Sequence, residues 1–551
     1  MTLIAKAVEA IPEETAHIAH LAFPKGSVVM WLRDELGSLY TDEVWSALYP
    51  SSQGQPAWSA WRLALITVMQ YIEDLSDTQA AQAVRGRIDW KYALSLSLSD
   101  AGIDASVLSE FRTRLVSAGC EEQLLEPLLI RCREQGWLAA GGSARSDSTH
   151  VIGSVRALHH LELIGETLRS SLNAIAAVAP HWLQAQSEAA WFERYGNRVE
   201  NSQFPKAKEK RQVIAEQMGK DGHVLLAAVF AEESPEYLRL LPAVEVLRQV
   251  WVQQFYLDAD HQIHLRAQKD SPPASKRIRS PYDTAVRFGQ KRDTQWVGYK
   301  VHLSETCDPE VPHLITHVET TNATLNDVNV TETIHQALDD KQLLPDTHLL
   351  DTGYVSVETI LNAQQQHHVE IVAPVLPNSS WQARSNNGFD TTHFAIDWQQ
   401  QQARCPAGHL SHKWRADKDR QGHEGILVTF PYAICKACDS RADCTKRQKQ
   451  GRSIRLRSQV QHQYLEAARA RQHTDEFKQR YHRRAGIEGT LSQGLRAFGL
   501  RRCRYIGQAK AHLQHIASAV AMNVVRCANW ARGVPFAQTR CSHFMTLAPV
   551  A

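Results

Sequence analysis

QWVGYKVHLSETCDPEVPHLITHVET (295–320) is the stretch on which the fold turns. Across 295–306 and again across 313–320, β-branched and aromatic residues alternate with polar ones, the period expected of half-buried strands. Downstream, Leu325-Asn-Asp-Val-Asn-Val330 leads into a helix ending near Asp340, and Thr347-His348-Leu349-Leu350 makes a brief strand. Asp351-Thr-Gly-Tyr354 lies at that strand's carboxyl end, where Gly353 permits a tight turn. A helix over 356–366 and a strand over 368–374 complete a β-β-α-β-α-β run, an α/β core. Upstream, Gly141-Gly142 marks a boundary, and ARSDSTHVIG (144–153) reads as a strand bearing Asp147.

Flanking and interrupting this core are several further regions. Residues 1–140 read as a helical domain: Ser76 or Asp77 can cap a helix that stops at Gly86, and Asp104 can cap one closed by Gly119. Short helices joined by tight turns suit either a helix-turn-helix reader of DNA ends or a plain helical bundle. The core runs over 141–531 with two insertions, one mostly helical over 156–260 (interrupted near Asn201-Ser-Gln-Phe-Pro205) and one cysteine-rich over 376–455. One long helical element is expected over 458–497 and another over 508–531, with a loose tail over 532–551. Residues 266–292 hold eight Lys and Arg against two Asp and read as a loop near phosphates or a linker.

At 551 residues, 43% hydrophobic and 22% charged, the composition is that of ordinary globular domains, which excludes disordered, collagen-like and coiled-coil classes over most of the length. No apolar run approaches the roughly 18 residues of a membrane span. MTLIAKAVEAIPEETAH at the start holds acids where a signal peptide holds an apolar core, so a cytoplasmic protein without membrane contact is expected. The net charge of +2 conceals an asymmetry. Residues 441–510 carry 18 Lys and Arg against 5 Asp and Glu, while 1–140 carry 11 against 18. The basic segment fits a polyanionic partner, or else a solvated basic face.

Of ten cysteines, Cys405, Cys435, Cys438 and Cys444 fall within forty residues. Cys435-Lys-Ala-Cys438 has the spacing of a zinc knuckle, and the set can supply four thiolates to a tetrahedral structural Zn²⁺. His409 or His412 can replace Cys405 in that set, and four reduced cysteines without metal are the alternative.

Singly, Asp147, Asp351 and Glu488 read as a strand residue, a turn residue and a solvated helical acid. Jointly they make a pattern: an Asp on the first strand, an Asp past a later strand and a Glu on a subsequent helix suit two-metal phosphodiester chemistry, because hard cations want carboxylates. Tyr481, Arg484 and Glu488, at offsets of three and seven, would share one helical face. There Arg484 could hold a phosphate bidentately and Tyr481 could stack or hydrogen-bond on the same strand.

On these residues the chain resembles the DDE transposases of bacterial insertion sequences, and the resemblance covers nearly its whole length. It rests on the Asp147 strand, Trp296-Val-Gly-Tyr-Lys300, Asp351-Thr-Gly-Tyr354, the cysteine insertion and Tyr481-x2-Arg484-x3-Glu488. It implies a ribonuclease H-like catalytic core and a metal-binding triad at Asp147, Asp351 and Glu488, with two Mg²⁺ or Mn²⁺ ions. It also implies an endonuclease that nicks double-stranded DNA at transposon ends and joins the freed 3′-hydroxyl to target DNA. A dimer or higher oligomer on DNA and a nucleoid-associated location go with it. Tyr481, Arg484, Arg496, Arg501, Arg502, Arg504 and Lys300 are the expected DNA contacts. The family signature continues with a Lys separated from the Glu by six residues, a position that Leu495 occupies in this chain. That departure leaves Arg496 or the Arg501–Arg504 cluster to replace it, and favours the alternative of a catalytically inactive or domesticated DNA-binding descendant.

Overall fold

The computed structural model describes residues 2–50, 54–199, 204–385, 387–419 and 422–535. Cys541, most of the expected tail, and residues 201–203 of the expected helical interruption lie outside the described residues. The fold is mixed α/β in two compact units. Met1–Ala139, Asp147–Leu325 and Gly486–Ala551 make the first, and Ala140–Ser146 with Asn326–Ala485 the second. Six strands carry or flank the candidate residues: β1 (Ser143–Ile152), β2 (Arg287–Lys291), β3 (Thr294–Thr306), β4 (Ile315–Asn322), β5 (Thr347–Leu349) and β6 (Glu370–Val372).

In the first unit β2, β3 and β4 pair antiparallel, and β3 neighbours β1. Gly298 marks the close approach: at φ +157°, a Cβ on it would lie 2.1 Å from the Val151 carbonyl oxygen, so only glycine fits. The N-terminal helices obey their local signals. Ser76 and Gln79 form a reciprocal capping box, and Asp104 caps Ala105–Ala118, which Gly119 ends at φ +62°. The Ala60–Ile72 helix is buried on nearly all sides and packs against the Gln508–Ala531 helix. That C-terminal helix also serves β4: the Asn523 side chain bonds both the N–H and the C=O of Ile315, each at 2.8 Å. The buried thiols of Cys132 and Cys527 meet at 3.6 Å.

The helices His160–Val178, Lys208–Phe230 and Pro242–Gln254 gather a hydrophobic core of their own, including Leu161, Ile164, Leu225, Leu247 and Trp251. Residues 266–292, expected as loop or linker, contain a true strand in β2.

In the second unit the first residues of β1 pair in parallel with β5, from Ser143 opposite Thr347 to Arg145 opposite Leu349. β5 pairs in parallel with β6 across the crossover helix Val357–Gln366. Beneath this sheet His335 and His348 share a hydrogen bond of 2.9 Å, and His348 reaches the Ser146 hydroxyl at 2.7 Å. The cysteine-rich segment forms a three-stranded antiparallel sheet and a hairpin around Phe394, Val428, Phe430 and Ile454.

The single long helix expected over 458–497 is corrected. It is broken into Gln459–Arg471, Asp475–His482, a 3-10 turn at Arg483–Ala485, and Gly486–Ala497. Thr474 starts the second piece by accepting from the Phe477 N–H. At the second break, Arg145 donates to the Arg483 carbonyl at 2.6 Å. Gly486 and Gly489 lower helix propensity there by about 1 kcal/mol each.

Candidate functional site

Asp147 stands mid-strand in β1 and is 9% exposed, and its Oδ1 accepts from the Ser148 N–H at 2.7 Å. It belongs to the first unit. Asp351, in the second unit, comes directly after β5 and caps the Thr352–Tyr354 turn, Oδ1 accepting from the Thr352 N–H at 2.7 Å. The far end of that turn is fixed by Thr331, whose hydroxyl donates to the Tyr354 carbonyl at 2.7 Å. Both aspartates therefore sit on well-tethered backbone.

Glu488, in the first unit, is exposed in the first turn of Gly486–Ala497. Its rotation about the helix is set by side chains that sequence reasoning missed. Thr490 points inward and donates to Glu305 Oε2 at 2.6 Å. Arg526, from the C-terminal helix, bridges Glu305 at 2.7 Å, the Thr490 hydroxyl at 2.6 Å and Gln493. Two residues apart on a helix means roughly opposite faces, so an inward Thr490 turns Glu488 outward. The buried Glu305 in the strand pattern of 295–306 was the only signal, and it looked like one polar position among several.

Tyr481 lies at the end of the Asp475–His482 helix, Arg484 in the 3-10 turn and Glu488 in the first turn of the next helix, so the three stand on consecutive elements rather than on one unbroken helix. Tyr481 stacks on Phe477 at 5.7 Å. Among the expected DNA contacts, Lys300 donates to the Leu325 carbonyl at 2.7 Å, and Arg501 is engaged by the His150 ring and carbonyl. Arg504 is held by Asp74, the Leu75 carbonyl at 2.6 Å and the Tyr71 ring. Arg496 and Arg502 are exposed.

The four clustered cysteines come together. Cys405, Cys435, Cys438 and Cys444 line one cavity with His409, Phe430 and Arg452, while His412 is not among its lining residues. Burial pushes the Cys444 thiol up to about 11, against the pull of Arg452 and with the neighbouring thiols adding to the rise. The Arg452 N–H donates to Cys435 Sγ at 3.4 Å. Among the described residues, however, no group of three or more His, Cys, Asp or Glu is arranged so that it could hold a metal ion. Nor is any helix among them long and apolar enough to cross a membrane.

Two family models match the chain. Residues 404–528, spanning the cysteine cluster, Tyr481, Arg484 and Glu488, match the transposase DDE domain, and residues 25–114 match the transposase domain DUF772. Both matches support a DDE transposase of an insertion sequence. The N-terminal helices thus carry a transposase signature of their own, which the bare helical reading could not supply. No curated protein matches the chain.

Proposed function

We propose that the chain is an active DNA transposase that binds the ends of its insertion sequence, cleaves there, and joins the 3′-hydroxyl ends to target DNA. The observation that carries this reading is the DDE-domain match over 404–528, which contains Glu488 within its family context. Asp147, Asp351 and Glu488 are the proposed metal ligands, on a core of the ribonuclease H type. Their carboxylates are the donors that a hard divalent ion prefers. Bound there, two such ions would activate the attacking oxygen and stabilise the leaving one. The protein's own share is placement. Thr352 and Ser148 N–H groups orient the aspartates, and the Glu305–Arg526–Thr490 network directs Glu488 to solvent.

Asp147→Asn, Asp351→Asn and Glu488→Gln are each expected to abolish Mg²⁺-dependent cleavage of end DNA while leaving DNA binding within a few-fold of wild type. A gel-based cleavage assay beside a binding titration checks this. Full cleavage by any one variant removes that residue from the triad. Cleavage by none of the proteins, wild type included, favours the inactive descendant that Leu495 suggests.

A second proposal concerns the cysteine cavity: Cys405, Cys435, Cys438 and Cys444 bind one structural Zn²⁺. Four thiols converging on one cavity, one already accepting a backbone N–H, support it. Loading requires the Cys444 thiol to lose its proton, so this site would fill by local adjustment as metal enters.

A further inference from the structure

The basic stretch 266–292 is not absorbed by the triad or by the zinc cavity, and the structure gives part of it a definite setting. Ile278 is 3% exposed and anchors the segment. Gln253, near the end of Pro242–Gln254, clamps it from both sides, donating to the Lys276 carbonyl at 3.1 Å and accepting from the Ile278 N–H at 3.0 Å. The adjacent Gln254 holds the His160 ring at 2.7 Å. Arg277 and Arg279 flank the anchored Ile278, and the Arg279 guanidinium lies over the Phe288 ring at 5.2 Å.

Among the described residues none of Arg211, Arg277 and Arg279 forms an ion pair, and the Nε groups of Arg277 and Arg279 are buried without a hydrogen-bond acceptor. Arg277 donates to the Pro272 carbonyl at 2.9 Å. On the helix that begins at His160, Glu162 is committed to the His159 N–H and Arg156, and Glu166 to Arg169, Tyr282 and the Val199 N–H. Burial and then the charges of Arg211, Arg277 and Arg279 hold the His160 ring below its usual range, and burial and then Arg277 act likewise on Arg279. His160 and Arg211 also lie in the first turns of helices of 19 and 23 residues, whose amino ends carry partial positive charge. Folding therefore assembles positive charge here against its own repulsion, with buried donors left over. An anion with several oxygens relieves the repulsion, and guanidinium forks match phosphate.

We propose that Arg211, Arg277 and Arg279, with His160 beside them, bind the phosphate backbone of double-stranded DNA. This contact is separate from the basic 441–510 segment and blind to base sequence. It rests on the transposase reading for its choice of polyanion. Phosphate contacts position a duplex without specifying it, so the contribution should be equal on any sequence.

The test uses the full chain and two labelled duplexes of equal length, one carrying the element's end and one with that sequence scrambled, titrated across KCl concentrations. R277A/R279A should weaken binding to both duplexes by the same factor. It should also flatten the log–log salt slope by about two, since each phosphate contributes about 0.9. R277K/R279K should keep the slope, and R211A, an exposed helical change, should flatten it by about one. Should R277A/R279A fail to fold, judged by its melting curve, R211A alone decides. Unchanged affinity and slope in a folded R277A/R279A or in R211A overturns the site and leaves the transposase reading standing. A wild-type chain that binds neither duplex overturns both together.

Discussion

Arg502 and Arg504 show how far residue identity alone can mislead. Both belong to one basic run, and charge counting treats them alike. Arg504, however, is held by Asp74, the Leu75 carbonyl and the face of Tyr71, whereas Arg502 is exposed. Arg504→Ala is therefore expected to lower stability by about 1–3 kcal/mol, through a lost charge-assisted bond and carbonyl contact, with little change in the salt dependence of DNA binding. Arg502→Ala should do the reverse, flattening the log–log slope by about one with unchanged stability. Urea denaturation and a salt titration on the same two proteins separate the roles. At this scale the sequence displayed caps well, since Ser76 and Asp104 act within one turn of themselves. It could not display Arg504's partner, which lies 430 residues away.

Among elements, the short strands, the crossover helix and the Gln508–Ala531 helix track the hydrophobic pattern to within a residue or two, because each buries a face with a clean period. The 458–497 segment misled because its breaks are made by capping and by Arg145, a partner from β1 that no local period encodes. Glu488's helix depends likewise on distant groups. Arg526→Ala leaves the fully buried Glu305 carboxylate without its cation, and about 3–5 kcal/mol of stability should go with it. Arg526→Lys should recover part. Unfolding midpoints in urea provide the check, and equal midpoints for wild type and Arg526→Ala would show that the network does not set that helix. The cysteine segment is a further element whose clustering was legible in the spacing of Cys405, Cys435, Cys438 and Cys444. Protein purified without added metal is expected to contain close to one zinc per chain by elemental analysis, and Cys438→Ser to lose it. Small zinc modules draw on the order of 10 kcal/mol from the metal, so this region should melt early in that variant. No zinc, with an unaltered melting curve for Cys438→Ser, would leave four ordinary thiols.

For the whole molecule, part of the acid sensitivity is expected to originate in the second unit. Burial holds His335 down to about 4 and His348 well below its usual range, so both are neutral in the fold at pH 7. A folded value below the unfolded one, near 6.5, means the stabilisation is complete above about pH 6.5 and is lost as pH falls towards 4. Each unit of displacement corresponds to about 1.4 kcal/mol. Between pH 7 and pH 5 the wild-type urea midpoint should fall further than that of His335→Asn, which keeps a polar group beside His348 but cannot take up a proton. Equal falls would place the acid response elsewhere. Net charge and composition correctly bounded the class of molecule. The two-unit division was beyond them, because the first unit draws on three separate stretches of chain.

The Gln508–Ala531 helix has a temporal consequence. Ala60–Ile72 leaves the ribosome early, yet the surface it buries against is translated some 440 residues later. At roughly 5–20 residues per second, that apolar helix waits on the order of half a minute to a minute and a half for its partner. Products that terminate before the last helix would keep the early one uncovered, a state for chaperones or proteases. Completion of the first unit is thus coupled to synthesis of the Gln508–Ala531 helix, and until that helix is made the Ala60–Ile72 helix lacks the surface it packs against.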